Sequence, residues 1–170
     1  VSKDTAIYTI EVTVTDNEGV LEATKVIRKD GVEAETIAFT NAYEAEDVTT
    51  TFEARKEMTG RALKDGDFTF TLQEVDEGGR AITGGLVMTG NNQADLAPVD
   101  GKYESKVAFE TIGGLTDVTY TSVDAGKTFY YKVTEDASDS KGVTYDKRSL
   151  VIRVHVEDNL DGSLSVAKSY

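Results

Sequence analysis

One stretch of alternating apolar and polar residues occurs twice in this chain, and the distance between the copies sets the scale of the fold. Ile7-Tyr8-Thr9-Ile10-Glu11-Val12-Thr13-Val14-Thr15-Asp16-Asn17 recurs as Ser149-Leu150-Val151-Ile152-Arg153-Val154-His155-Val156-Glu157-Asp158-Asn159, 142 positions later. After a one-residue insertion at the turn, Gly19-Val20-Leu21-Glu22-Ala23 recurs as Gly162-Ser163-Leu164-Ser165-Val166. Such spacing is a domain length and not one turn of a solenoid. The expected organisation is therefore a tandem array. Residues 1–43 are the C-terminal hairpin and last strand of one repeat. Residues 44–48 are a short acidic linker. Residues 49–170 are the next repeat, lacking its own last strand. A chain that opens at Val1 in mid-pattern and shows no signal peptide is expected to be a fragment cut away from its targeting signals.

Both copies predict β-hairpins. Ile10, Val12 and Val14 alternate with Glu11, Thr13 and Thr15, as Ile152, Val154 and Val156 alternate with Arg153, His155 and Glu157. Period-two alternation sends the aliphatic set to a core and the polar set to water. The turns, Asp16-Asn17-Glu18-Gly19 and Asp158-Asn159-Leu160-Asp161-Gly162, use residues that tolerate positive φ. Further strands are expected at Ala34–Tyr43, Thr49–Glu57, Asp67–Glu74, Tyr103–Glu110 and Lys127–Glu135. The stretch 76–101, with Gly78-Gly79, Gly84-Gly85 and Gly90-Asn91-Asn92, predicts turns around short strands, and Gly113-Gly114-Leu115-Thr116 predicts another turn. No segment carries the pattern of a three-turn amphipathic helix. Many short strands with frequent turns indicate an all-β, Ig-like β-sandwich of mostly antiparallel strands.

Composition narrows the function. Asp and Glu number 31 against 18 Lys and Arg, a formal charge of −13, which repels phosphate backbones and anionic lipid. Nucleic acid is therefore not expected as a partner, and because no run approaches the length of a transmembrane helix, neither is membrane insertion. Cysteine is absent, so no disulfide braces the fold, and thiolate nucleophiles and most structural zinc sites are excluded. The single histidine, His155, lies on the polar side of its strand and is matched by Thr13 in the other copy, so it reads as a solvated residue. Without His and Cys the usual hydrolytic triads are closed off, and neither GxGxxG nor a Walker sequence is present. The carboxylates are scattered over turns and outward faces. Asp158, Asn159 and Asp161 offer several oxygens but lack the later bidentate glutamate of an EF-hand loop, so turn chemistry is preferred to calcium.

Three blocks carry a family resemblance. Phe52-Glu53-Ala54-Arg55-Lys56-Glu57-Met58-Thr59-Gly60-Arg61-Ala62-Leu63 with Gly66-Asp67-Phe68-Thr69-Phe70-Thr71-Leu72 resembles the opening of a streptococcal-type pilin isopeptide domain, the FctA-like major pilin and Gram-positive adhesin repeat. Gly126-Lys127-Thr128-Phe129-Tyr130-Tyr131-Lys132-Val133-Thr134-Glu135, followed by Gly142-Val143-Thr144-Tyr145-Asp146, resembles its middle signature. Ile37-Ala38-Phe39-Thr40-Asn41-Ala42-Tyr43 resembles its closing strand. The resemblance implies a CnaB-type sandwich and an amide between a first-strand lysine and a last-strand asparagine, with a glutamate assisting. Matched by motif, these are Lys56 as amine donor, Glu135 as acid/base and Asn41 as the acceptor type. It implies no cofactor and no metal.

The residues support such chemistry independently of the name. Phe52, Ala54 and Lys56 share one face of their strand, and a lysine on an apolar face wants a partner. The bland alternative is a solvated strand lysine between Arg55 and Glu57. Val133 and Glu135 likewise share a face, and Asn41 sits on the apolar face between Phe39 and Tyr43. A buried amine is driven toward its neutral, nucleophilic form, and a buried carboxylic acid can polarise a carboxamide and carry protons. The resulting cross-link would act as a disulfide does, without an oxidant.

Family order is lysine, glutamate, asparagine, whereas Asn41 precedes Lys56. Asn41 therefore closes the preceding repeat, and the asparagine for Lys56 is expected about 14 residues beyond Tyr170. The linker reaches at most ~18 Å, and a parallel crossover needs a dozen or more residues, which disfavours a bond within the chain. Adjacent repeats, or a neighbouring chain exchanging its Ala34–Tyr43 strand head to tail, are the expected partners. The expected function is a structural stalk or shaft module of a Gram-positive pilus or adhesin, extracellular and wall-anchored, turning over no substrate beyond single-turnover self-cross-linking. The alternatives are an adhesin domain gripping a host glycan or protein through the loops of 76–101, and a carboxylate-using enzyme.

Overall fold

The computed structural model describes residues 2–95, 97–138 and 142–170; Leu96, within the glycine-rich stretch, falls outside them. The chain divides into two compact units, Val1–Glu44 and Ala45–Tyr170.

The first unit is one antiparallel sheet in the order β1 (Tyr8–Asn17), β2 (Val20–Lys29), β3 (Val32–Ala34). Its two hairpins are two-residue turns. φ is 54° at Glu18 and 86° at Gly19, then 50° at Asp30 and 87° at Gly31, the doubly positive geometry that matches strand twist. The hairpin forms as its alternation dictates, but the aliphatic face does not become a core. Ile10 is 51% exposed, Val12 59% and Val14 57%. Alternation only sorts side chains onto faces; burial needs a second layer, and this unit holds a single sheet. The strand expected over Ala34–Tyr43 is also corrected, because regular pairing stops at Ala34. Beyond it one bridge joins Ser2 to Ala42, and residues 38–41 are held mainly by side chains.

The second unit is an all-β, sandwich-like domain. Its strands are β4 (Val48–Thr50), β5 (Glu53–Thr59), β6 (Thr69–Val75), β7 (Val87–Asn91), β8 (Lys102–Ala108), β9 (Val118–Tyr120), β10 (Thr128–Glu135), β11 (Ser149–Asp158) and β12 (Leu164–Ser169). A five-stranded sheet runs β12-β11-β10-β6-β7, and two ribbons pair β4 with β9 and β5 with β8. Every ladder is antiparallel. Inward positions recur at every second residue: Phe68, Phe70 and Leu72; Tyr131 and Val133; Ile152, Val154 and Val156. They meet Phe52, Val107 and Phe109 from the other layer in one cluster. The Phe52 and Tyr131 rings are 4.8 Å apart, and the Tyr120 and Tyr131 hydroxyls share a buried 2.8 Å hydrogen bond.

The expected strand Thr49–Glu57 is two strands. The chain changes sheet at Thr51-Phe52: β4 pairs with β9, β5 pairs with β8, and Phe52 turns into the core. Lys168 Nζ donates to the freed Thr51 carbonyl at 2.8 Å. Residues 45–48, acidic enough to predict a linker, are packed within this unit. Ala45 is buried, the Glu46 N–H donates to the Gly162 carbonyl at 2.8 Å, and β4 begins at Val48. β9 and the 3-10 turn Ser122–Asp124 have no clear sequence pattern. Among the described residues no helix is long and apolar enough to cross a membrane.

Candidate functional site

β5 and β8 form a ribbon whose inward face reads Ala54, Lys56 and Met58 opposite Val107, Ser105 and Tyr103. Strand alternation thus commits Lys56 to the same side as Phe52 and Ala54. Its partner comes from the facing layer. At the end of β10, register with β6 sets Glu135 opposite Phe70 and continues the inward line of Tyr131 and Val133. Lys56 Nζ donates to Glu135 Oε2 at 2.6 Å, and the two side chains are only 10% and 5% exposed. Two ionisable groups buried this deeply are tolerated because each is the other's partner.

Three further groups complete the surroundings. Lys56 Nζ lies 3.9 Å from the Phe68 ring centroid, a cation–π distance. Glu135 Oε1 accepts the Asp146 backbone N–H at 3.4 Å. Tyr145 packs on Phe68 with ring centroids 5.5 Å apart. The Tyr145 hydroxyl is buried and, among the described residues, has no hydrogen-bond partner. An unsatisfied buried hydroxyl costs roughly 1–3 kcal/mol. The Asp146 carboxylate turns away to Arg148, whose guanidinium and then backbone N–H hold it well below the usual carboxylate range. Opposite Lys56, the buried Ser105 hydroxyl accepts the Gln93 N–H and donates to the Lys106 carbonyl. β5 has a ladder partner, β8, on one side only among the described residues.

Asn41 belongs to the first unit and is exposed there, not buried as its apolar neighbours suggested. Its Oδ1 accepts the Asp4 N–H at 3.0 Å. The Asp4 carboxylate accepts the N–H groups of Thr40 and Ala6, which lower its pKa, Thr40 most. The Tyr8 hydroxyl donates to the Ala38 carbonyl at 2.7 Å, with Phe39 edge-on against its ring. These clamps replace the ladder that the sequence pattern predicted. The five asparagines of the chain are Asn17, Asn41, Asn91, Asn92 and Asn159. Of the three in the second unit, Asn91 serves Thr69, Asn92 serves Phe68, Lys64 and Gln93, and Asn159 serves Ser163 and Ser165.

The sequence profile of the Spy0128-like isopeptide containing domain, FctA, matches residues 1–44 and 52–170, nearly the whole chain. The chain belongs to this family. Searches of curated proteins and of solved structures gave no match. As a Spy0128-like isopeptide containing domain, the chain is a pilin-type module rather than a member of a known enzyme family. The matched region contains both members of the buried Lys56–Glu135 pair.

The remaining polar candidates are engaged locally. His155 Nδ1 shares a hydrogen bond with the Thr128 hydroxyl at 3.1 Å and is half-buried. Asp158 and Asp161 accept the N–H groups of Leu160 and Ser163. In the glycine-rich stretch Asp76 accepts from Arg80 and Glu74 from Leu86. Sequence reasoning assigned no role to Phe68, Tyr145 or the Asp146 N–H. Phe68 was visible in its alternation with Phe70 and Leu72, whereas the other two reach the site through loop geometry.

Proposed function

We propose that this chain is a stalk or shaft module of a Gram-positive pilus or cell-surface adhesin, and that Lys56 joins an asparagine on a strand added to the open edge of β5. The 2.6 Å contact between Lys56 Nζ and Glu135 Oε2 carries this reading. A proton passes from the ammonium to the carboxylate along that bond, leaving an amine and a carboxylic acid. The amine nitrogen attacks the carboxamide carbon while Glu135 polarises its oxygen. The C–NH2 bond breaks as Glu135 gives its proton to the departing nitrogen and takes one from the attacking nitrogen, so that ammonia leaves and a secondary amide remains. Held on neighbouring strands, the reactants need no encounter step.

The acceptor is an asparagine of the Asn41 type, since the second unit's own asparagines are engaged elsewhere. It comes from an adjacent repeat, of which residues 1–43 represent the closing part, or from a neighbouring chain by head-to-tail strand exchange. Cell-wall anchorage and an extracellular site follow from the same reading. An amide beside the first long strand would route tension through covalent bonds, in a chain with no cysteine to do so.

The test is incubation of the full chain with a synthetic peptide of residues 34–43, followed by intact-mass spectrometry under denaturing conditions. The expected product has the summed mass less one ammonia, and is lost in Lys56→Met and Glu135→Ala. Absence of that product from the unsubstituted chain sinks the amide chemistry.

A further inference from the structure

We propose that the Tyr145 hydroxyl donates a hydrogen bond to the carboxamide oxygen of the asparagine that enters beside Lys56; this rests on the strand addition proposed above. Tyr145 shares the Phe68 ring with Lys56: one packs on it and the other holds its Nζ 3.9 Å from the centroid. The next residue, Asp146, donates its backbone N–H to Glu135. Tyr145 is thereby tied to both members of the buried pair, to Lys56 through the shared Phe68 ring and to Glu135 through the backbone of the next residue, and its hydroxyl is buried without a partner among the described residues.

A strand joining β5 satisfies its own backbone through the ladder. What remains unsatisfied is its inward carboxamide, which arrives with an oxygen to be hydrogen-bonded. The proton that Glu135 takes from Lys56 serves one lone pair of that carboxamide oxygen while the other oxygen of Glu135 keeps the Asp146 N–H, so the second lone pair of the carboxamide oxygen still needs a donor. A neutral hydroxyl donor fills the remaining need. As the carboxamide carbon becomes tetrahedral its oxygen gains negative charge, so a donor fixed there strengthens during the reaction. Tyr145 loses no atom: the oxygen it holds becomes the oxygen of the new amide.

A double-mutant cycle tests this, using the full chain carrying Lys56→Met with Glu135→Gln, which leaves no stranded charge, keeps an acceptor for the Asp146 N–H and makes binding non-covalent. Affinity is measured for the peptide of residues 34–43 and for its Asn41→Ala version, each against Tyr145 and Tyr145→Phe. Tyr145→Phe is expected to weaken the natural peptide about fivefold, the worth of one hydrogen bond, and to leave the alanine peptide unchanged. Equal weakening of both, no weakening, or no binding of either overturns the proposal. In the peptide-free chain Tyr145→Phe is expected to unfold at the same or higher temperature, since it removes a hydroxyl with no partner; a clear loss of stability also overturns it. Failure of the amide chemistry is read separately, in the mass assay on the unsubstituted chain. A non-additive cycle beside a missing adduct would keep the Tyr145 contact and discard the amide.

Discussion

Lys56 and Glu135 stand 79 positions apart in the chain, and their side chains meet at 2.6 Å between two layers of strands, almost wholly out of water. Each alone would be a charge stranded in an apolar core. Replacing one partner, by Lys56→Met or Glu135→Leu, is expected to destabilise the second unit by about 3–5 kcal/mol. The double replacement Lys56→Met with Glu135→Leu should recover most of that loss, because no charge is left uncompensated. Urea unfolding of the four proteins of this cycle checks it, and additive losses would contradict the pairing.

The two copies of the repeated hairpin make an internal control. Ile152 is 2% exposed, while its counterpart Ile10 is 51% exposed. Ile152→Ala should cost about 2–5 kcal/mol through lost contacts and the cavity left behind. Ile10→Ala should stay within about 0.5 kcal/mol in the same chain. Chemical denaturation followed by near-ultraviolet signals of the second unit's tyrosines reads the first change, and far-ultraviolet circular dichroism of the whole chain reads the second.

Gly90 lies where β7 passes β8. A Cβ there would stand 2.6 Å from the Ala108 carbonyl oxygen and 2.8 Å from Val107 Cγ1. The carbonyl is backbone and cannot swing away. Gly90→Ala is therefore expected to destabilise by about 1–3 kcal/mol, as overpacking does. A melting temperature no lower than that of the unsubstituted chain would show that the strands separate freely at this point.

Acid should weaken the loop between β5 and β6 through Asp67. Its carboxylate accepts from Arg61 at 2.6 Å and from the Lys64 N–H at 2.9 Å, and these, Arg61 first, hold it below the ordinary aspartate range. With the folded value depressed, its contribution is fully present above the unfolded value near pH 4 and is lost as pH falls through the lower folded value. Asp67→Asn should lower stability at neutral pH and flatten the acid limb of the stability curve. Melting temperatures of both proteins between pH 7 and roughly pH 2 check this.

Much of the site was legible because strand alternation is a local property. The spacing of Phe52, Ala54 and Lys56 placed a lysine on an apolar face before any partner was known. Tyr131, Val133 and Glu135 did the same from the other side. What stayed hidden was contributed by groups with no periodic signature: the Asp146 N–H, the Tyr145 hydroxyl and the Lys168 contact that marks the change of sheet at Thr51. The placement of Asn41 was misjudged for a related reason. Its flanking Phe39 and Tyr43 announce an apolar face, but Asp4 and Tyr8, more than 30 positions earlier, take the hydrogen bonds of the segment and hold it outside a ladder.

By itself the sequence determined most of the longer strands, the turns that close both copies of the repeated hairpin, the all-β class and the facing of the inward residues on the strands it marked, since backbone pleating converts residue order directly into sidedness. It could not decide whether a given face would be covered. The same Ile-x-Val-x-Val pattern is core in β11 and exposed in β1. Burial depends on a second layer supplied by distant strands, and only the tertiary structure brings that layer over one copy, together with the carboxylate that meets Lys56.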